Sequence, residues 1–283
     1  MEDFLKRTLH LAIVRWCCSC TDRADRPRIY VFNPPESSPA FILADAGFDV
    51  FLMNQRGTTY GRRHTTLSPG FGSKFWQFTQ DDFAKYDATA VIDKVLEVSG
   101  HQSLHWVGHS QGTLIGFLTL AELPAYNSKY YRRELGAHEV LYQWSSLYRP
   151  LGRLCSLIPV LGHEVCYEYL HFLLGPPAKT FNMVRNYKIL LITRIPVYLS
   201  HFPAGISTWS ILHLAQVRNW ETIGSLKHAS QTHFKRRRPP PPPPYNYSNI
   251  DVPIYMYWSR NDWLTTADNI ERNILASIRK DLL

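Results

Sequence analysis

The chain has 283 residues, 45% of them hydrophobic and 19% charged, with 15 Gly, 19 Pro and 5 Cys. That composition excludes a collagen-like repeat, a fully disordered chain and a disulfide scaffold, and the length suits one large domain or two small ones. The formal net charge is +8, but Lys235-Arg236-Arg237-Arg238 alone supplies four of those charges, so no basic face runs along an element and no nucleic-acid partner is expected.

Residues 1–28 read as a loose N-terminal leader with six basic and four acidic side chains. Leu9 to Val14 is apolar but broken by His10 and followed by Arg15, which makes a poor secretory signal. Cys17 and Cys20 form a lone CxxC without a second pair, so no metal site is expected; Cys18, Cys155 and Cys166 add no ligand pattern. Ile29 to Phe32 reads as a short strand ending in an Asn33-Pro34-Pro35 turn. Ser38 is placed to cap a helix with Pro39 at its first position, and Gly47 to close it. Phe48 to Met53 reads as a buried strand, followed by a Gly-, Thr- and Ser-rich loop to about Lys74.

Thr79 and Asp82 have capping-box spacing, and behind them Ala84, Ala88, Val91, Val95 and Val98 recur on one helical face, which Gly100 ends. Leu104 to Val107 is a further strand, and a helical pattern resumes at Gly112. Strand–helix alternation of this kind predicts a mostly parallel sheet flanked by helices. From about 127 to 230 the alternation gives way to an aromatic, helix-leaning region, and a β-like run returns at Val252 to Trp258. The most apolar stretch, Ile189 to Leu199, is broken by Arg194 and Pro196 and is far shorter than the roughly 20 residues of a membrane span. No transmembrane segment is expected.

Between the strand and the helix lies Gly108-His109-Ser110-Gln111-Gly112, a G-x-S-x-G string. Its physical logic is a sharp turn. The serine takes a strained backbone conformation at the tip of a strand, and small neighbours let strand and helix approach closely. Ser110 is thereby the candidate nucleophile. The Gln111 N–H, at the positive end of the next helix, is the candidate oxyanion donor. A glycine-rich turn with an idle serine would produce the same string. A serine nucleophile needs a base and an orienting carboxylate, in the order Ser, Asp or Glu, His for this architecture. Asp262, after the strand 252–258, stands where the acid belongs, although Asn261-Asp262 is also ordinary turn chemistry.

Several longer strings resemble the acid lipase family, which includes the gastric and lysosomal acid lipases. They are Phe41 to Val50, Asn54 to Tyr60 followed by Arg62-Arg63-His64, Lys85-Tyr86-Asp87, Val107 to Thr113, His201 to Ser207, and Val252 to Leu264. The resemblance covers most of residues 38–270. It implies an α/β-hydrolase fold with an inserted, largely helical cap, and hydrolysis of neutral lipid esters (triacylglycerols or cholesteryl esters) at a lipid–water interface. It implies a secreted or lysosomal place and no cofactor. On that template the chain divides into the leader (1–28), a first part of the core (29–126), the cap (127–230), a basic, proline-rich loop (231–248) and an incomplete second part of the core (249–283).

Two features depart from the family pattern. No histidine follows Asp262, the last of twelve being His233, so the family's catalytic base is absent from this chain. The family's HG-type string, source of a second oxyanion N–H, is expected before Ser38, where Ile29 to Pro35 stand instead. Both gaps lie toward the chain's ends, as truncation would place them. The alternative is a catalytically impaired lipase-like protein that binds lipid or a protein partner. Among the other histidines, His109 reads as an elbow residue, His105 as strand packing, and His64 and His201 as parts of family strings; none has a base's position.

Within 127–230, Tyr130, Tyr131, Trp144, Tyr167, Tyr169, Phe172, Trp209 and Trp220 are apolar enough to line an acyl-chain tunnel, and are equally ordinary core formers. Pro239 to Pro244 follows the basic run and favours polyproline II. It reads either as an SH3- or WW-type ligand, with Pro242-Pro243-Pro244-Tyr245 as a PPxY string, or as a loop insertion. Asn246-Tyr247-Ser248 is a glycosylation sequon for a chain that enters the secretory route.

Overall fold

The computed structural model describes residues 10–14, 35–58, 60–70, 73–130, 136–138, 207, 209–210, 213, 224–225, 243–260, 262 and 266–283. Among the described residues five strands carry the fold: β1 (His10–Val14), β2 (Asp49–Met53), β3 (His105–Gly108), β4 (Gly136–His138) and β5 (Tyr255–Tyr257). β1 runs parallel between β2 and β3, with Ile13 opposite Leu52 on one side and Val107 on the other. β4 pairs in parallel with β5. A parallel bridge from Leu104 to Tyr130 brings β4 alongside β3. The described strands thus form a three-stranded parallel sheet in the order β2-β1-β3 and a parallel pair β4-β5 whose strand β4 lies beside β3.

Two of these strands fall where the sequence does not announce them. The segment expected as a loose leader contains β1, the centre of its three-stranded sheet. A strand paired on both edges needs only a short apolar run, and His-Leu-Ala-Ile-Val supplies one despite its histidine. Likewise the core extends past residue 126, because β4 lies in the stretch expected as cap. Gly-Ala-His has neither alternation nor an apolar run, so only its pairing with β5 makes it a strand. The expected strand at Ile29 to Phe32, all five cysteines, and Lys235 to Pro242 lie outside the described residues.

Helix α1 (Pro39–Asp45) begins as expected with Pro39 at its first position, but the Ser38 side chain makes no cap bond; its carbonyl accepts from Phe41 and Ile42 instead. Gly47 at φ 89° ends the helix. The Phe48 N–H reaches Leu43 O at 3.1 Å and the Gly47 N–H reaches Ala44 O at 3.0 Å, the paired bonds of a Schellman stop.

Helix α2 is continuous through Gln80–Asp82, Phe83–Ala88 and Thr89–Ser99, and its middle segment is a π turn. The capping box is present, with the Thr79 N–H donating to Asp82 Oδ2 at 2.9 Å. Ala84, Ala88, Ile92 and Val95 are buried in the core and Val91 packs against it half-buried, while Val98 near the helix end is exposed, which corrects its expected place on the inward face.

Helix α3 (Gln111–Glu122) is buried at every residue from Gln111 to Ala121. It is the spine of the main core, which gathers Ile92, Leu104, Leu118, Ile250, Tyr247 and Leu282. A second, aromatic cluster of Phe75, Phe78 and Phe83 meets it at Ile115, with Phe78 and Phe83 centroids 5.3 Å apart. Near the C-terminus, Ala267–Asn269 runs into the π turn Ile270–Leu275 as α4, and the Ile254 N–H donates to Leu282 O at 2.6 Å. No helix of the described residues is long and apolar enough to cross a membrane.

Candidate active site

Ser110 stands one residue beyond the end of β3, after His109, and immediately precedes the first residue of α3. Its backbone sits at φ 59°, ψ −121°, and among the described residues it is the one non-glycine with positive φ. A side chain in that region costs on the order of 1–3 kcal/mol, and persists only where surrounding structure fixes it.

The surroundings do so. The Thr113 N–H and Leu114 N–H donate to Ser110 O at 3.0 and 3.2 Å, and the Gly112 N–H donates to His109 O at 3.0 Å. Thr113 Oγ1 donates to Gly108 O at 2.7 Å, tying the helix back to the strand. The Gly108 α-carbon lies so close to the helix that an added Cβ would meet Thr113 N at 2.5 Å and Gly112 C at 2.6 Å. One turn on, the Trp106 indole crosses α3, donating to Gly112 O at 3.1 Å, and a Cβ on Gly116 would strike its Nε1 at 2.6 Å. Ser110 and Gln111 are both buried. The G-x-S-x-G string thus forms the tight, strained turn its spacing predicts.

Asp262 is buried in the turn after β5, with its N–H donating to Ser259 O at 3.3 Å. Ser110 comes after β3 and Asp262 after β5, whose parallel partner β4 lies beside β3. β1 ends with Val14 in register with Gly108, so the chain leaving β1 starts beside the elbow. The stretch after Val14 and residues 29–34, where the sequence departs from the family's HG-type string, lie outside the described residues.

Among the histidines, His105 is buried on β3, edge-on to Phe48 with centroids 6.4 Å apart, and burial pushes its imidazole down to about 4. It is a packing residue. His64 is exposed, and its Nδ1 accepts from the Thr66 and Leu67 N–H groups at 3.1 and 3.0 Å, closing a turn. His109 lies within the elbow itself, and His201 lies outside the described residues.

Sequence reasoning passed over His213, which is fully buried. Its Nδ1 accepts from the Gln80 N–H at 3.3 Å, so the neutral ring carries its proton on Nε2. That proton faces Gly224 O at 2.9 Å and Tyr245 Oη at 3.0 Å. The Tyr245 hydroxyl in turn donates to Asp81 Oδ1 at 2.6 Å, and Ser225 Oγ donates to Asp81 Oδ2 at 3.3 Å. Burial pushes His213 down to about 4, and burial together with Asp81 pushes the Tyr245 phenol up. With both ring nitrogens engaged, His213 is a neutral structural group.

Gln80 joins this chain of bonds to the elbow. Its Oε1 accepts from Gln111 Nε2 at 2.7 Å and its Nε2 donates to Ser210 O at 3.3 Å. Ser210 Oγ donates to Phe78 O at 3.0 Å, and Ser207 Oγ donates to Trp76 O. The sequence carried a signal for none of this beyond the capping box, because the partners are up to 164 residues apart.

The family loops also meet. Arg56 Nε and Nη2 both lie 2.6 Å from Asp87 Oδ1, and the Arg56 N–H donates to Asp87 Oδ2 at 2.9 Å. This clamps the Asn54-Gln55-Arg56-Gly57 loop to α2. Burial raises the Asp87 carboxyl even so, with Arg56 partly offsetting it.

Residues 38–127 match the α/β hydrolase fold family. Over 94% of its length and 70% of the relative's, the chain is 31% identical to lipase lipl-3 of Caenorhabditis elegans. The chain belongs to the acid lipase family. It is 34% identical to mouse gastric triacylglycerol lipase over 85% of this chain and 66% of that protein. It is equally similar to lysosomal acid lipase/cholesteryl ester hydrolase of Macaca fascicularis, over 87% and 66% respectively. An acid lipase has an α/β-hydrolase fold, as the sequence strings implied, and the parallel sheet with its strained serine turn is that fold's core.

Other expectations stand differently. Tyr245 is buried and bonded to Asp81, so the PPxY string cannot present its tyrosine to a WW domain while the core is folded. Pro243 and Pro244 are exposed, and Pro244 bridges to Gly224. Tyr130 is a core residue packed against Trp106 at 5.8 Å, not a tunnel wall, and Trp209 is half-buried. The remaining aromatics singled out in 127–230 lie outside the described residues. A shallow depression of about 330 Å³ beside β5, lined by Met256, Tyr257, Trp258, Arg260 and Glu271, does not include Ser110. Among the described residues no cluster of His, Cys, Asp and Glu is arranged to hold a metal ion.

Proposed function

We propose that this chain is a serine ester hydrolase of the acid lipase type, acting on carboxylic esters of neutral lipids, triacylglycerol or cholesteryl ester, at a lipid–water interface. The observation that carries the reading is the Ser110 backbone at φ 59°, held by the elbow's bonds in a chain with lipase relatives on nearly its whole length. Ser110 Oγ attacks the ester carbonyl, the Gln111 N–H receives the developing oxyanion, and Asp262 orients the base that takes the serine proton. The names of the gastric and lysosomal relatives favour a secreted or lysosomal place of action.

Incubation with an alkyl fluorophosphonate, with and without a triolein or cholesteryl oleate emulsion, tests this reading. Slow labelling that the emulsion suppresses supports a lipid-ester site at Ser110. Labelling indifferent to either lipid contradicts it.

A further inference from the structure

The N-terminal turn of α2 is where three distant parts of the chain meet. The elbow arrives through Gln111, residues 207–225 arrive through Ser207, Ser210, His213, Gly224 and Ser225, and the segment after the prolines arrives through Tyr245. Gln80 is fully buried at their junction and uses three groups at once. Its amide oxygen accepts from Gln111 Nε2 at 2.7 Å, its amide nitrogen donates to Ser210 O at 3.3 Å, and its backbone N–H donates to His213 Nδ1 at 3.3 Å. Asp81, next in sequence, holds Tyr245 and Ser225 by two further bonds.

We infer that Gln80 is a positioning residue for the reaction, fixing Gln111 and registering Ser210 and His213 against the elbow. The inference rests on the reading of Gln111 as oxyanion donor. A donor N–H is effective only when held, before reaction, where charge will develop. Gln111 is the first residue of α3, where no preceding turn restrains it. Its side chain is anchored by one short bond, to Gln80. The same amide spans to Ser210, so a displacement of Ser210 is transmitted to the elbow through a single buried side chain. His213 and Tyr245 hold the far end of that link, because the proton order from His213 through Tyr245 to Asp81 leaves each donor with an acceptor.

Saturation kinetics of alkyl fluorophosphonate labelling separate binding from phosphonylation, whose transition state places charge on the oxygen facing the Gln111 N–H. Gln80→Met keeps the volume and removes the side-chain bonds. The expected result is a phosphonylation rate about tenfold lower with the half-saturating concentration unchanged. Thr119→Val is the control: Thr119 is buried between the same two helices, its Oγ1 bonded to Ile115 O at 2.8 Å and Ala84 O at 3.3 Å, and it does not touch Gln111. It is expected to lower the melting temperature while leaving the phosphonylation rate unchanged. Equal rates in wild type and Gln80→Met, or an equal slowing in both variants, overturns the positioning role while leaving Ser110 as nucleophile. Absence of labelling in the wild type removes the role and the nucleophile reading together.

Discussion

The Tyr245 hydroxyl donates to Asp81 Oδ1 at 2.6 Å, joining two residues 164 positions apart in a buried setting. A short bond to a carboxylate is among the stronger neutral-donor bonds, and removing its donor leaves Asp81 to bear the desolvation. Tyr245→Phe is expected to lower stability by about 2–3 kcal/mol, read as a shift of the urea midpoint at constant slope. A change under about 0.5 kcal/mol would mean the bond stabilises nothing beyond what solvent provides.

At the elbow, the close approach of β3 and α3 sets a different limit. An alanine methyl at Gly108 meets backbone atoms at 2.5 and 2.6 Å, and backbone cannot swing aside as a side chain can. Gly108→Ala is expected to cost at least about 3 kcal/mol and to abolish labelling of Ser110. A variant that folds and labels like wild type would show that strand and helix are not held this tightly.

The Arg56–Asp87 pair combines a half-buried guanidinium with a carboxylate whose side chain is 11% exposed. Removing the cation alone strands a buried charge. Arg56→Met is therefore expected to lose about 3 kcal/mol, and adding Asp87→Leu to recover most of it. Thermal melts of the two single variants and the double variant measure the coupling, and additive losses would contradict it.

Acidity should act through the two buried imidazoles. His105 and His213 both titrate near 4 in the folded chain, against an ordinary value of 6.5. Between these values the unfolded chain binds protons that the folded chain excludes. The stability due to the neutral rings is complete above pH 6.5 and falls as pH drops toward 4. Urea midpoints from pH 7 to pH 4 should decline through this window, and His213→Asn should reduce the slope by about half. An unchanged slope in that variant would remove His213 from the account.

Where chemistry and local geometry coincide, the sequence was legible. Gly108 to Gly112 forms a strained turn because only that residue pattern permits it, and Pro39 and Gly47 bound α1 because each has a backbone suited to its end. Thr79 and Asp82 cap α2 as their spacing requires. Long-range pairing was not legible. His10 to Val14 reads as a spoiled leader and Gly136 to His138 as nothing, since a short strand is made by its neighbours. On α2, Ala84, Ala88 and Val95 are buried and Val91 packs against the core as their spacing predicts, whereas Val98 near the helix end is exposed and Ile92 is buried as well. Tyr245 reads as a displayed ligand residue because its sequence neighbours are prolines, whereas its partner is Asp81. The Gln80–His213 link has no local signature at all.

The role of Ser110 is tested most directly by peptide mapping after fluorophosphonate treatment. The mass of the adduct should appear, slowly, on Ser110 alone and be absent from Ser110→Ala. An adduct on another residue, or one that persists in Ser110→Ala, would contradict the assignment of Ser110 as the nucleophile.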